Sequence, residues 1–187
     1  MDALVLKKEL QNLKAYKEPR VRLGKICVEL NLMTELILLC RPESGVSHQA
    51  CWCLEQSFLL HESECYPHLK DICALFPTAI NHSGMRSLTK IGYLVSKAYY
   101  SRKRHPLQSL LSIKMREQLV EGCFNELLTA RGKTANLAFA TKALFLLGQE
   151  FEWVHQQLPA LIEEHLPNPQ NAGYKSVAGK VLKNLNA

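Results

Sequence analysis

Aspartate is nearly missing from this chain. Asp2 and Asp71 are the two found in 187 residues, which leaves few aspartates for general acid–base work. Long apolar runs are missing as well. None approaches the roughly 20 residues that a membrane helix needs, and the first thirty residues carry Lys7, Lys8, Lys14, Lys17, Arg20 and Arg22 with no apolar signal segment. A cytoplasmic protein with no membrane association is expected. There is no Gly-rich dinucleotide turn, no P-loop and no nucleophile elbow, so the commonest nucleotide-dependent and serine-hydrolase chemistries lack their local signatures. What is present is ordinary globular material: 47% hydrophobic and 21% charged residues exclude a disordered chain, and the length suits one domain with a sizeable core.

Cys27, Cys40, Cys51, Cys53, Cys65, Cys73 and Cys123 are odd in number and scattered through apolar stretches. They read as reduced, buried thiols rather than a disulfide framework. His48, Cys51, Cys53, His61, Cys65 and His68 cluster in sequence, yet Cys51 and Cys53 sit about 200° apart around a helix and cannot chelate together. Pro67 then interrupts before His68. No metal and no cofactor are expected.

Acidic residues are absent over one long interval. Between Asp71 and Glu117 lie Arg86, Lys90, Lys97, Arg102, Lys103, Arg104, Lys114 and Arg116, eight basic groups without a local counter-charge. Such an interval creates positive potential that draws an acidic protein, a nucleic acid or a phosphorylated ligand. The competing reading is a solvated face plus a basic loop.

Apolar residues recur at helical spacing between turn signals, so the chain reads as all-α. Helices are expected at 3–16, 20–30, 33–40, 47–60, 66–76, 83–101, 113–129, 134–147 and 152–165, with a last one capped by Asn171 and buried along Tyr174, Val177, Ala178, Val181, Leu182 and Leu185. Pro159 is expected to kink or restart its helix, and Gly148 to cap one. From residue 33 the helices pair. Leu54, Ile91, Ala143 and Val181 share one register in the second helices, at intervals of 37, 52 and 38 residues. Those spacings fit stacked helical hairpins of the HEAT or armadillo kind. The expectation is a single right-handed α-solenoid over 1–187, with 1–32 as capping helices and 33–186 as four hairpins; an irregular bundle is the rival.

Specific strings carry a resemblance. Residues 46–54 (VSHQACWCL), 98–103 (AYYSRK), 123–127 (CFNEL), 144–154 (LFLLGQEFEWV) and 173–185 (GYKSVAGKVLKNL) resemble a family of small bacterial proteins with an ARM/HEAT-like superhelical fold. The match spans about 46–186, and the first 45 residues share only the helical pattern. Members of that family often carry the label adenylosuccinate lyase, which would imply a mobile serine-rich signature loop. Ser44-Gly45-Val46-Ser47 and Ser83-Gly84-Met85 are too short to be that loop, so lyase activity is the least favoured reading.

The helix over 83–101 holds the best candidate surface. Arg86, Lys90, Tyr93, Lys97, Tyr100 and Arg104 recur on one face, and the shared register aligns Lys90 with Cys53, Lys142 and Lys180. In a right-handed solenoid the second helices line the concave side. Arg86, Lys90, Tyr93, Lys97, Lys142 and Lys180 are therefore the expected binding residues of a non-enzymatic interaction module. An acidic protein or peptide is the expected partner, with single-stranded nucleic acid as the alternative.

Overall fold

Helical spacing of apolar residues produces helices and nothing else: the structure, a computed structural model, describes residues 2–130 and 133–186, and no strand occurs among them. In chain order the helices are α1 (Ala3–Gln11), α2 (Lys17–Glu29), α3 (Met33–Leu39), α4 (Ser47–Leu60), α5 (Glu62–Cys65), α6 (Leu69–Cys73), α7 (His82–Tyr99), α8 (Leu107–Leu110), α9 (Ile113–Thr129), α10 (Thr134–Leu147), α11 (Glu152–His165) and α12 (Lys175–Leu185). Short 3-10 turns lie at Pro42–Ser44, Tyr66–His68 and Pro169–Tyr174. No described helix is long and apolar enough to cross a membrane.

Packing follows a simple order. α2 lies on α4, α4 on α7, α7 on α10 and α10 on α12, while α3 rests on α4, α9 on α7 and α10, and α11 on α10 and α12. Buried apolar side chains from Leu6 to Val181 make one continuous cluster. The starts of α7 and α9 carry side-chain caps. Asn81 Oδ1 accepts from the Gly84 N–H at 3.0 Å to open α7, and Ser112 Oγ accepts from the Met115 N–H at 3.3 Å to open α9.

Several boundaries depart from expectation, each for a local reason. α1 stops at Gln11 and α2 starts at Lys17, because Pro19 falls in the first turn, where a missing N–H costs no intrahelical bond. The span 66–76 is a 3-10 turn followed by the five-residue α6, with Pro67 at the start of the turn. α11 runs through Pro159 without a restart. Asn171 does not cap α12: it is buried, and its Nδ2 donates to the His165 carbonyl at 3.0 Å, while Asn168 caps the preceding 3-10 turn. Gly148 does stand at the end of α10, but with a right-handed φ of −63°. Space is what it supplies. A Cβ there would fall inside the His155 ring, whose Nε2 donates to the Phe145 carbonyl at 2.7 Å.

The long connection after α7 is fastened by one ionic node. Arg116 donates to Glu150 in fork fashion, from Nε at 2.8 Å and from Nη2 at 2.7 Å, and its Nη1 donates to the Leu111 carbonyl. The guanidinium also lies 4.4 Å from the Tyr99 ring centre, and the Tyr100 hydroxyl donates to Glu150 Oε2 at 2.9 Å. Three segments are thereby joined: the end of α7, the start of α9 and the α10–α11 turn. The Arg116 hydrogen bonds, aided by Tyr100, hold the Glu150 carboxyl below the usual range, while burial and the bond to Glu150 push the Tyr100 phenol well up.

All seven cysteines are free and buried. Burial raises the Cys27, Cys65 and Cys73 thiols to about 12, and pushes Cys40, Cys53 and Cys123 well above their ordinary value. Thiolate is the reactive species, so no thiol should react rapidly with an aromatic disulfide reagent in the native protein, and all seven should react in denaturant. A rapidly modified native thiol would contradict this burial.

The ionic node predicts a pH dependence. Because the folded-state Glu150 carboxyl is depressed, its contribution is complete above the unfolded value of about 4.3 and is lost as pH falls through the lower folded value. Glu150→Gln should cost about 1–3 kcal/mol at neutral pH. In thermal melts the gap from the parent protein should narrow steadily as pH falls below about 5.

Candidate functional site

α7 carries the expected face, and the structure divides it into two environments. At its amino-terminal half, Arg86 and Lys90 meet Glu55 of α4, a carboxylate only 3% exposed. Lys90 Nζ donates to Oε1 at 2.7 Å, the Ser87 hydroxyl donates to Oε2 at 2.6 Å, and Arg86 Nη1 stands 3.6 Å from Oε2. A buried carboxylate needs such company. Both cations are therefore answered by Glu55, Lys90 through a hydrogen bond and Arg86 through a longer ion pair. The register partner of Lys90 on α4, Cys53, is fully buried.

At the carboxyl-terminal half the same helix face opens. Tyr93, Lys97, Lys142 and Lys180 line one groove of about 330 Å³ between α7, α10 and α12. Phe145, Val177 and Val181 supply its apolar lining, and no acidic residue borders it. Four of the six expected residues thus converge. Lys97 and Lys180 are exposed, Lys142 is half-buried, and none of the three forms an ion pair among the described residues. Lys142 Nζ sits 5.3 Å from the Tyr93 ring centre and 5.8 Å from that of Phe139, held over both aromatic faces.

Lys97 also borders a second cavity of about 470 Å³, with Lys103, Arg104 and His105. That cavity lies between the ends of α4 and α7 and the loop that follows. Its one acid, Glu62, stands 3.8 Å from His105 Nε2. Positive surface therefore runs from Lys180 through Lys97 to Arg104. Sequence periodicity placed Arg104 on the helix, but α7 ends at Tyr99 and Arg104 reaches the cavity from the loop. Tyr100 has left the face altogether for Glu150.

Other polar clusters serve the fold. His82 Nδ1 stands 3.0 Å from Glu126 Oε1, and Asn136 Nδ2 donates both to that carboxylate and to the His82 carbonyl, tying α7, α9 and α10 together. Sequence reasoning missed this triad because its members are 10 to 54 residues apart. Among the described residues no three His, Cys, Asp or Glu side chains converge as metal ligands.

Removing the Glu55 carboxylate tests the division of α7. Glu55→Gln should lower stability by about 1–3 kcal/mol, read from denaturant midpoints, and the further change Lys90→Met should recover part of it, since the two partners are coupled. Independent, additive effects would disprove the coupling. Neither a family model, nor a curated protein, nor a solved structure gives a match to this chain.

Proposed function

We propose that this chain is a non-enzymatic interaction module of the ARM/HEAT-like helical-repeat kind, binding an acidic protein segment along the groove between α7, α10 and α12. The observation that carries the reading is the convergence of Lys97, Lys142 and Lys180, from three different helices, around an apolar lining with no acid. Serial packing of α2, α4, α7, α10 and α12 supports the repeat architecture, in which second helices of successive hairpins form one layer. A groove with a cationic rim and an apolar lining suits a peptide with acidic residues flanking an apolar anchor.

Nucleic acid is the second reading, and one contact weighs against it. Stacking of a base needs an open aromatic face, whereas Tyr93 is half-buried with Lys142 over its ring and Phe139 at 6.2 Å. Lyase chemistry is weaker support still. The carboxylates Glu55, Glu126 and Glu150 are each engaged by a cation, an imidazole or an amide within the fold.

The test uses two labelled probes, an acidic peptide with one central Phe and a single-stranded oligonucleotide of similar length. The peptide should bind more tightly at physiological salt, and Lys142→Glu with Lys180→Glu should weaken it by about tenfold or more. The melting temperature should change little. Tighter oligonucleotide binding, or peptide binding untouched by the double reversal, would overturn the proposal.

A further inference from the structure

A second pocket of opposite character lies on α9 and the start of α11. Phe124, Phe151 and Trp153 line a cavity of about 330 Å³ together with Glu117 and Glu121. The Phe124 and Trp153 ring centres are 5.3 Å apart with planes inclined at 54°, so two aromatic surfaces open toward one space. Trp153 is 48% exposed. An indole so placed leaves apolar area in water for no evident folding gain, and such exposed aromatic surface marks an interaction site.

The acids settle which ligand chemistry suits it. Glu117 and Glu121 stand four residues apart on α9, both exposed, and like charges at that spacing repel. Neither forms an ion pair among the described residues. The neighbouring Arg116 is consumed by Glu150. An apolar occupant would cover the rings while stripping water from two unanswered carboxylates. A cationic side chain answers both demands: its methylene stem packs on Phe124 and Phe151, and its charged head reaches the indole face and the carboxylates.

We propose that this pocket receives a lysine or arginine side chain presented by a partner protein. Cation–π attraction and the paired carboxylates then act on the same head group. The site is independent of the basic groove, which is built on other side chains and carries the opposite charge.

Trp52 provides an internal control, because its indole N–H already donates to the Ser83 carbonyl at 3.2 Å and Arg20 already lies 5.4 Å from its ring centre. The experiment titrates the native protein with Nα-acetyl-lysine methylamide, and separately with the uncharged norleucine analogue, while following the two indole N–H resonances by NMR. Trp153→Phe assigns them. The lysine probe should shift the Trp153 resonance saturably and leave Trp52 unmoved, with the norleucine probe at least tenfold weaker. Glu117→Gln with Glu121→Gln should weaken the lysine probe about tenfold and leave the norleucine response unchanged. Equal binding of both probes, no saturable shift of Trp153, or indifference to the double Gln variant would overturn the proposal.

Discussion

α10 has almost no face that it can leave in water, and the arrangement of its neighbours follows from that constraint. Leu137, Ala140, Ala143, Leu144 and Leu147 are fully buried on one side, joined by Asn136 and Thr141, and Ala135, Ala138, Phe139, Phe145 and Leu146 on the other side are half-buried. A helix apolar on all sides must be covered on all sides. α7, α9, α11 and α12 each pack on it. The alanines at 140 and 143 allow close approach, and Thr141 meets the buried Tyr174 hydroxyl at 2.7 Å, fixing where the segment before α12 docks. Lys142 is the one charged residue of α10, and it emerges at the seam between α7 and α12. The groove is thus the line along which the covering of α10 is incomplete.

Charge follows a second rule. The interval from Asp71 to Glu117 has no acid in sequence, but folding brings carboxylates to it from elsewhere: Glu55 from α4 and Glu150 from the α10–α11 turn. Arg86, Lys90 and Arg116 are answered in this way. Lys90 and Arg116 answer through charge-assisted hydrogen bonds and Arg86 through a longer ion pair at 3.6 Å, and for the buried Glu55 an unpaired state would be costly. Of the remaining cations, Lys97, Arg102, Lys103 and Arg104 keep to the groove and the exposed loop, and Lys114 is exposed at the start of α9.

Much of the helical framework was readable because its signals are local. The apolar stripes of α7 and α12 act within one or two turns. What escaped depends on distance. Nothing near Lys90 announces Glu55, 35 residues away, and nothing near Arg116 announces Glu150, 34 residues away. Gly148 looked like a conformational glycine and proved to be a spatial one, because His155 arrives from the next helix. Pro159 reads as a kink or a restart, and α11 runs through it without restarting. The register of Lys142 and Lys180 was legible since both sit on faces set by their own helices, whereas the acidic and aromatic pocket joins α9 to α11 and has no periodic trace.

Folding therefore accounts for some of the polar and aromatic groups and leaves others without a structural task. Glu55, Glu126, Arg116 and Tyr174 are buried, and each has its partner. Tyr93 and Lys142 support one another. Lys97 and Lys180 around the groove, and Trp153 with Glu117 and Glu121 around the second pocket, have no such internal duty. Repulsion within each set and exposed indole area both oppose stability slightly. Because α7, α9, α11 and α12 all rest on α10, both sets are carried on one packed support, which holds their side chains ready for binding without further ordering of the backbone. Preorganised surface of two opposite signs is what the two proposed interactions, with an acidic segment and with a basic side chain, would require.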